Sequence, residues 1–441
     1  MQEDELIEWI CGLELQPPID IYSYNALLET VCEELLVHID QTHVFSGMTH
    51  ADEAAALLEQ VLPCVDTIKA YLDGWFRYCQ TLATTDAGRR KLLPPHLVAK
   101  LDLAYLQRRV KELQDAPQTV QHSVEWAEEL VGLVSASELW KVRSSTSRKS
   151  LIREKRAKAL SLKEAAADEA DEADGDGGQG KPQGGHSVSA PVVAVGMPGV
   201  PYANNTFGWG HCYEPVIKLI MTHRHGFTIC ELGRIRHADP TIKVGASVDG
   251  IVDPHHPAAK DLAGSITEIK CVVSREIIDN DIDDDYYHQV QTQLEVCDLV
   301  FTNFIEAKIV EFATLAAASA TDEGFEPECG LTLFISPAPN IGPVHTVSSP
   351  VFVRLDDAVA WYKKVNLSDL YGRPIHVSEV RYWRLKKWHH LIQLRNEQWW
   401  RDTRAYVDQF WHEFETSTDA MVASARAGQR KPAEQKCLLL L

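Results

Sequence analysis

Residues 245–252 read GASVDGIV and residues 267–271 read TEIKC. Both are short apolar runs with β-branched residues, so both predict strands, at about 244–252 and 264–271. Alternate side chains of a strand share a face. Glu268 and Lys270 therefore point the same way, while Ile269 points into the core and leaves its carbonyl near the strand's edge. Asp249 precedes Gly250, which suits a tight backbone bend beside a charged site. Asp249, Glu268 and the Ile269 carbonyl are three oxygen donors able to hold a hard divalent cation. Lys270 is placed to orient or deprotonate a water. With no His/Cys cluster in the set, magnesium is expected, with manganese as substitute, rather than zinc. Such a centre suits phosphodiester hydrolysis. The bare spacing also fits a surface strand carrying an ion pair, so its surroundings decide.

Upstream, GWGHCYEP (208–215) opens a helix carrying Glu214, which can reach the metal or its waters. Downstream, an acidic run, DNDIDDD (279–285), leads into YYHQVQTQLEVCDL (286–299). On that helix Gln289 and Gln293 lie one turn apart with Tyr286 on the same face, and Val290, Leu294 and Cys297 form the apolar stripe. A glutamine amide can donate to a phosphate or hold a water. The acidic run reads as a solvated loop or as a gate that repels duplex from all but one direction.

The ordered motifs resemble the lambda-exonuclease or YqaJ-type viral recombinase branch of the PD-(D/E)XK nucleases, in the versions carried by large DNA viruses of eukaryotes. VEWAEELVGLVSASELWKV (124–142) and KSLIREK (149–155) resemble the family's entry segment. YWRLKKWHHLIQLRNEQWWRDTRAYVDQFW (382–411) resembles its Arg-rich, Trp-rich C-terminal helices. The resemblance implies an α/β fold with a restriction-endonuclease-like core, a central mixed sheet flanked by helices. It implies that Asp249, Glu268 and the Ile269 carbonyl bind the metal, that Lys270 is catalytic, and that Glu214 and Gln289 support the reaction. By the same resemblance Ser137 and Ser247 help hold a terminal 5′-phosphate, with Gln291, Arg143 and Arg148 as further DNA contacts. It further implies a 5′→3′ exonuclease on double-stranded DNA ends that makes single-stranded tails for viral recombination, acting as a homo-oligomer with a single-strand annealing partner. Val248 and Val272 stand where relatives carry proline. Leu130 stands where the family has the arginine that clasps the 5′-phosphate, and a neutral side chain supplies no charge-assisted fork. Arg143, Arg148 or Lys149 must substitute, or end recognition weakens. That leaves a structure-specific endonuclease of the same superfamily, or a non-catalytic DNA-end-binding scaffold, as rival readings.

The rest of the chain frames this centre. Its 441 residues carry 43 Lys and Arg against 63 Asp and Glu, a net charge of −20. The acidity argues mildly against nucleic-acid binding, but local fields matter more than the total. Residues 1–120 show apolar residues at helical spacing and predict an all-helical extension outside the resemblance. Residues 121–158 form the nuclease entry segment, 159–206 an acidic, Gly-rich disordered insertion, 207–415 the nuclease core and 416–441 a tail. Ten cysteines without a C-x-x-C pair read as reduced thiols. No apolar run reaches membrane-spanning length and the start is acidic, so an intracellular protein is expected, in host cytoplasm or nucleus. Between 381 and 404, basic residues alternate with tryptophans, which fits either DNA contact or a packed core under a solvated basic face. His255-His256 and His389-His390 read as loop or surface histidines.

Overall fold

The computed structural model describes residues 3–13, 15–42, 50–119, 124–173, 200–201, 205–320 and 323–417. Eleven strands occur among them: β1 (Val134–Ser135), β2 (Val200–Pro201), β3 (Ile229–Cys230), β4 (Arg234–Arg236), β5 (Val244–Ser247), β6 (Gly250–Val252), β7 (Ile266–Cys271), β8 (Phe301–Phe312), β9 (Cys329–Ser336), β10 (His345–Ser348) and β11 (His376–Leu394). Eight form one sheet, in the order β2-β10-β9-β11-β8-β7-β6-β3. Within it β7 and β8 run parallel, and the remaining pairs are antiparallel. The other three form a small sheet, β1-β5-β4. The chain passes from the small sheet to the large one between β5 and β6, and Asp249 sits in that crossing. The mixed sheet flanked by helices and the helical N-terminal region both match the sequence expectation.

The helices that matter here are α1 (Glu3–Gly12), α2 (Ile21–Thr42), α3 (His50–Ala83), α4 (Leu103–Asp115), α5 (Val124–Gly132), α6 (Ser145–Ala173), α7 (Thr206–His225), α8 (Asp284–Cys297) and α9 (Glu397–Thr416). Asn205 caps α7 by accepting from Gly208 N at 2.7 Å, and Gly226, at φ 73°, closes it. Asp283 caps α8, and Asp284 and Asp285 occupy its first turn, where the helix dipole favours negative charge. Asp279 pairs with Lys387 at 2.9 Å. Much of the acidic run thus starts a helix and ties down the loop before it.

Gly250 has a different reason from the one expected. It lies in β6 with no positive φ, and a Cβ there would fall 2.2 Å from Ile229 Cγ2 on the neighbouring strand. Close strand approach, not a bend, requires glycine at this position.

The helical N-terminal region is packed against the sheet and helices of the rest of the chain. Leu106, Val110 and Leu113 of α4 belong to the same apolar cluster as Val290 and Leu294 of α8 and Phe410 of α9. Gly264, at φ +71°, lets Leu106 approach so closely that a Cβ would sit 2.8 Å from it. Arg109 donates to the Cys297 carbonyl at 2.8 Å, and Lys100 pairs with Asp298 at 2.5 Å. Burying each such apolar side chain contributes about 1.5–3 kcal/mol.

Two boundaries differ from expectation. α6 continues through residues 159–173, because Ala, Glu, Lys and Leu favour helix whatever their net polarity. Residues 174–199 of the expected insertion, and the tail from 418, lie outside the described residues. Second, the stretch expected as C-terminal helices is half strand. His376–Leu394 forms β11, pairing with both β8 and β9, and only Glu397–Thr416 is helical. Val377, Val380, Trp383 and Leu385, with His389-His390-Leu391-Ile392 after them, are β-branched or aromatic enough to fill a central strand.

Candidate active site

β7 delivers the centre as its alternation requires. Ile269 is buried against Tyr213, Ile217 and Ile305. Glu268 and Lys270 turn to the other face, and Lys270 Nζ donates to Glu268 Oε1 at 2.5 Å. From the crossing, Asp249 accepts a hydrogen bond from the Ile269 backbone N–H at 2.6 Å. α8 closes the third side. Gln289 Nε2 donates to Glu268 Oε1 at 2.7 Å, and Gln293 Nε2 donates to Glu268 Oε2 at 2.6 Å. Lys270 Nζ also donates to Gln289 Oε1 at 3.0 Å. Glu268, only 2% exposed, is thus gripped by three donors.

Asp249, Glu268, Ile269, Lys270 and Gln289 line one cavity of about 530 Å³, with Glu214, His211, Arg275 and Tyr286 on its walls. Asp249, Glu268, Lys270, Glu214 and Gln289 are therefore brought together as the sequence predicted. Burial raises the Asp249 carboxyl well above its usual range, and the nearby Glu268 and Glu214 raise it further, against Lys270 and the Ile269 N–H. Burial disfavours the Lys270 ammonium, but Glu268 and Asp249 outweigh it and its pKa rises. Lys270 is held as a cation, with two of its three donors committed.

The negative charge of these packed carboxyl groups is met in part by Lys270. Among the described residues, no three His, Cys, Asp or Glu side chains form a ready-made metal cage. Magnesium is commonly bound through one or two carboxylates, with waters and substrate phosphates completing its shell. Asp249, Glu268 and the Ile269 carbonyl suit that mode.

Two residues of the cavity and its support, Lys218 and Arg275, were not singled out from sequence. Lys218, one turn after Glu214, pairs with it at 2.8 Å and with Glu231 at 3.1 Å. Arg275 pairs with the buried Glu306 and lies 5.5 Å from the Tyr286 ring centroid. Tyr286 also carries Lys270 Nζ 4.6 Å from its ring centroid. The i, i+4 spacing could have found Lys218, whereas Arg275 depends on Glu306, a strand away.

The predicted DNA contacts divide. Ser137 is exposed on the short turn Ala136–Glu138, its Oγ 3.2 Å from that of Ser135. Ser247 ends β5, and its carbonyl accepts from Gln293 at 3.1 Å. Arg143 lines a separate cavity of about 560 Å³ with Tyr22, Trp140, Ser147 and His288. Two assignments are corrected. Gln291 is 1% exposed, donating to the Leu394 carbonyl at 2.8 Å and accepting from Asn396 N at 2.9 Å, so it is a strut for the C-terminal segment. Arg148 is 5% exposed, bound to the Val142 carbonyl at 2.7 Å and to Glu413 at 3.1 Å. Nor does it replace the missing arginine at Leu130, whose carbonyl accepts from the buried Lys155 at 2.6 Å.

The C-terminal basic and aromatic residues are largely structural. Trp383 and Trp399 are wholly buried, and Arg395 pairs with Glu295 and Asp298, each at 2.6 Å. His389 is not a surface histidine. β11 sets it opposite Glu306 of β8, 3.1 Å away, and it accepts from Asn280 N at 3.1 Å. His390 is within 3.1 Å of Asn303, and burial lowers its pKa to about 4. His255 and His256 lie in a turn, as expected.

Residues 125–300 match the family model of the YqaJ-like viral recombinase domain. The matched segment spans Ser137, Glu214, Asp249, Glu268, Lys270 and Gln289. A relative, uncharacterized protein R354 of Acanthamoeba polyphaga mimivirus, is 33% identical over 123 residues, 26% of this chain and 22% of the relative. That match thus spans about a fifth of the relative's length. Among solved structures, an alkaline exonuclease (LHK-Exo) from Laribacter hongkongensis aligns with TM-score 0.33 and 16% identity, over 69% of this chain and 97% of that one. Its complex with dAMP gives the same values. Among the described residues no helix is long and apolar enough to cross a membrane.

Proposed function

We propose that this protein is a divalent-cation-dependent DNA nuclease, acting as a 5′→3′ exonuclease on duplex ends to make single-stranded tails during viral recombination or replication. The observation that carries the reading is the grip on Glu268 by Lys270, Gln289 and Gln293, with Asp249 fixed beside it on the Ile269 N–H. Asp249, Glu268 and the Ile269 carbonyl would hold the cation, magnesium or manganese. When bound, it supplies polarisation of the scissile phosphate and a water of lowered pKa. Lys270, kept as an ammonium, has one donor left for a phosphate oxygen or the attacking water. Gln289 and Gln293 hold Glu268 in one orientation, so the site needs little reorganisation when substrate arrives. Glu214, neutralised in part by Lys218, adds an acceptor for metal-bound waters. Ser137 and Ser247 are the proposed hydroxyl contacts of the terminal 5′-phosphate.

Leu130 and the commitment of Arg148 to Glu413 favour a second reading, an endonuclease of the same superfamily with weak end recognition. End-labelled linear duplex and covalently closed circles, each with magnesium, separate the two. An exonuclease degrades the linear DNA from its 5′-phosphorylated ends and spares the circle, whereas an endonuclease opens the circle. Lys270→Ala and Asp249→Ala should abolish either activity while the protein stays folded. Wild-type cleavage in both variants refutes the assignment of the centre.

A further inference from the structure

Asp20, just before α2, lies more than a hundred residues ahead of the matched domain and is 0% exposed. Its carboxylate accepts four hydrogen bonds. Ser23 supplies two to Oδ1, from its backbone N–H at 2.8 Å and its hydroxyl at 2.7 Å. The other two come from the rest of the chain. Tyr287 of α8 donates its hydroxyl to Oδ2 at 2.7 Å, and Asn396 donates Nδ2 to Oδ1 at 3.2 Å. Asn396 in turn caps α9 by accepting from Trp399 N at 3.0 Å, and its own N–H binds Gln291 of α8. One buried carboxylate therefore ties the N-terminal helices to α8 and to the start of α9.

Tyr287 is two residues before Gln289 and six before Gln293. At 100° per residue it projects well away from the face those glutamines present. A helix moves as a stiff rod, so its depth and rotation set both glutamine contacts with Glu268 together. Those contacts, at 2.7 and 2.6 Å, tolerate only a few tenths of an ångström before they weaken. Four donors on both carboxyl oxygens fix Asp20 from three segments of the chain, so the anchor resists such a shift. Around the anchor, the Tyr22 and Tyr287 rings stack at 6.5 Å and Trp399 packs edge-on to Tyr287.

We propose that Asp20 is a positioning residue for the active site, holding α8 through Tyr287 and Asn396 so that Gln289 and Gln293 grip Glu268. The kinetic consequence rests on the nuclease reading; the consequence for α8 does not. The test uses the full chain with Asp20→Asn and Tyr287→Phe, and with Tyr24→Phe as comparison. The Tyr24 hydroxyl bonds Asp73 inside the extension and does not reach α8. Two quantities are read: kcat and KM on end-labelled duplex with magnesium, and hydrogen exchange of the α8 amides. Asp20→Asn and Tyr287→Phe should each lower kcat by about tenfold, leave KM within about twofold, and speed exchange across residues 287–294. Tyr24→Phe should match wild type in kcat and in α8 exchange. If Asp20→Asn does not fold, Tyr287→Phe carries the test. Folded variants with wild-type kcat and wild-type α8 exchange overturn the proposal. So does Tyr24→Phe lowering kcat as much as the other two, which would mark a general loss of stability. If the wild type cleaves no DNA, the nuclease reading fails, and α8 exchange alone decides the role of Asp20.

Discussion

Replacing Gln293 with leucine separates stability from chemistry at this site. Gln293 is wholly buried, and its Nε2 donates to Glu268 at 2.6 Å and to the Ser247 carbonyl at 3.1 Å. Its Oε1 has no hydrogen-bond partner. Leucine has a similar volume and no polar atom. The variant loses two hydrogen bonds, one to a carboxylate worth about 1.5–3 kcal/mol and one to a main-chain carbonyl worth about 0.5–1.5 kcal/mol. It also removes a buried, unpaired carbonyl oxygen, whose desolvation costs about 1–3 kcal/mol. The contributions offset in part, so the folding free energy should fall by about 1–2 kcal/mol. Catalysis has no such offset, because Glu268 Oε2 loses its donor from α8 and with it its aim. At about 1.4 kcal/mol per factor of ten, kcat should fall about 10–100-fold. Single-turnover cleavage of end-labelled duplex gives the rate, and urea unfolding gives the stability. Gln291→Leu is the contrast. Both ends of its amide bind main chain, so it should lose about 1–3 kcal/mol of stability with a smaller effect on rate. A Gln293→Leu protein cleaving within twofold of wild type would refute the role given to Gln293.

Three further outcomes follow from the same geometry. Arg275→Gln should weaken duplex binding in calcium by about tenfold, as expected for losing a charged phosphate contact, and unchanged binding would remove Arg275 from the cavity's function. Leu106→Ala should cost about 2–5 kcal/mol in urea unfolding followed by α8-sensitive probes, because it opens a void under Gly264; a cost below about 1 kcal/mol would mean that the N-terminal helices are appended rather than part of the core. Burial lowers both His288 and His390 to about 4. The unfolded chain then takes up protons near pH 6.5 that the folded chain refuses, so their contribution is complete above about pH 6.5 and is lost as pH falls toward 4. Between pH 7 and pH 5 that amounts to on the order of 1–2 kcal/mol per histidine, and His390→Gln should flatten the melting-temperature profile over this range.

What could be read from the sequence was local. Glu268, Ile269 and Lys270 sort by strand alternation, and Gln289 and Gln293 sort by helical period, so the centre followed from neighbours a few residues apart. What could not be read depended on distant partners. Arg148 meets Glu413 across 265 residues, and Gln291 meets Leu394 across 103. A basic or amide side chain looks equally fit for DNA or for such a partner until the partner is located. His389 illustrates the same limit, since its carboxylate comes from register with β8 rather than from ligand spacing along the chain. Asp20 gave no sign in the sequence, because one aspartate before a helix reads as an ordinary cap. The strand at 376–394 was misjudged because its charges alternate with aromatics in a way that also suits a basic helix.

The central claim is that Asp249, Glu268 and the Ile269 carbonyl converge on one hard cation. Anomalous scattering from crystals soaked in manganese tests it most directly. A peak within about 2.5 Å of an oxygen from each of the three is the predicted result, lost in Asp249→Ala. A peak elsewhere, or Asp249 and Glu268 diverging with no peak between them, would contradict the account.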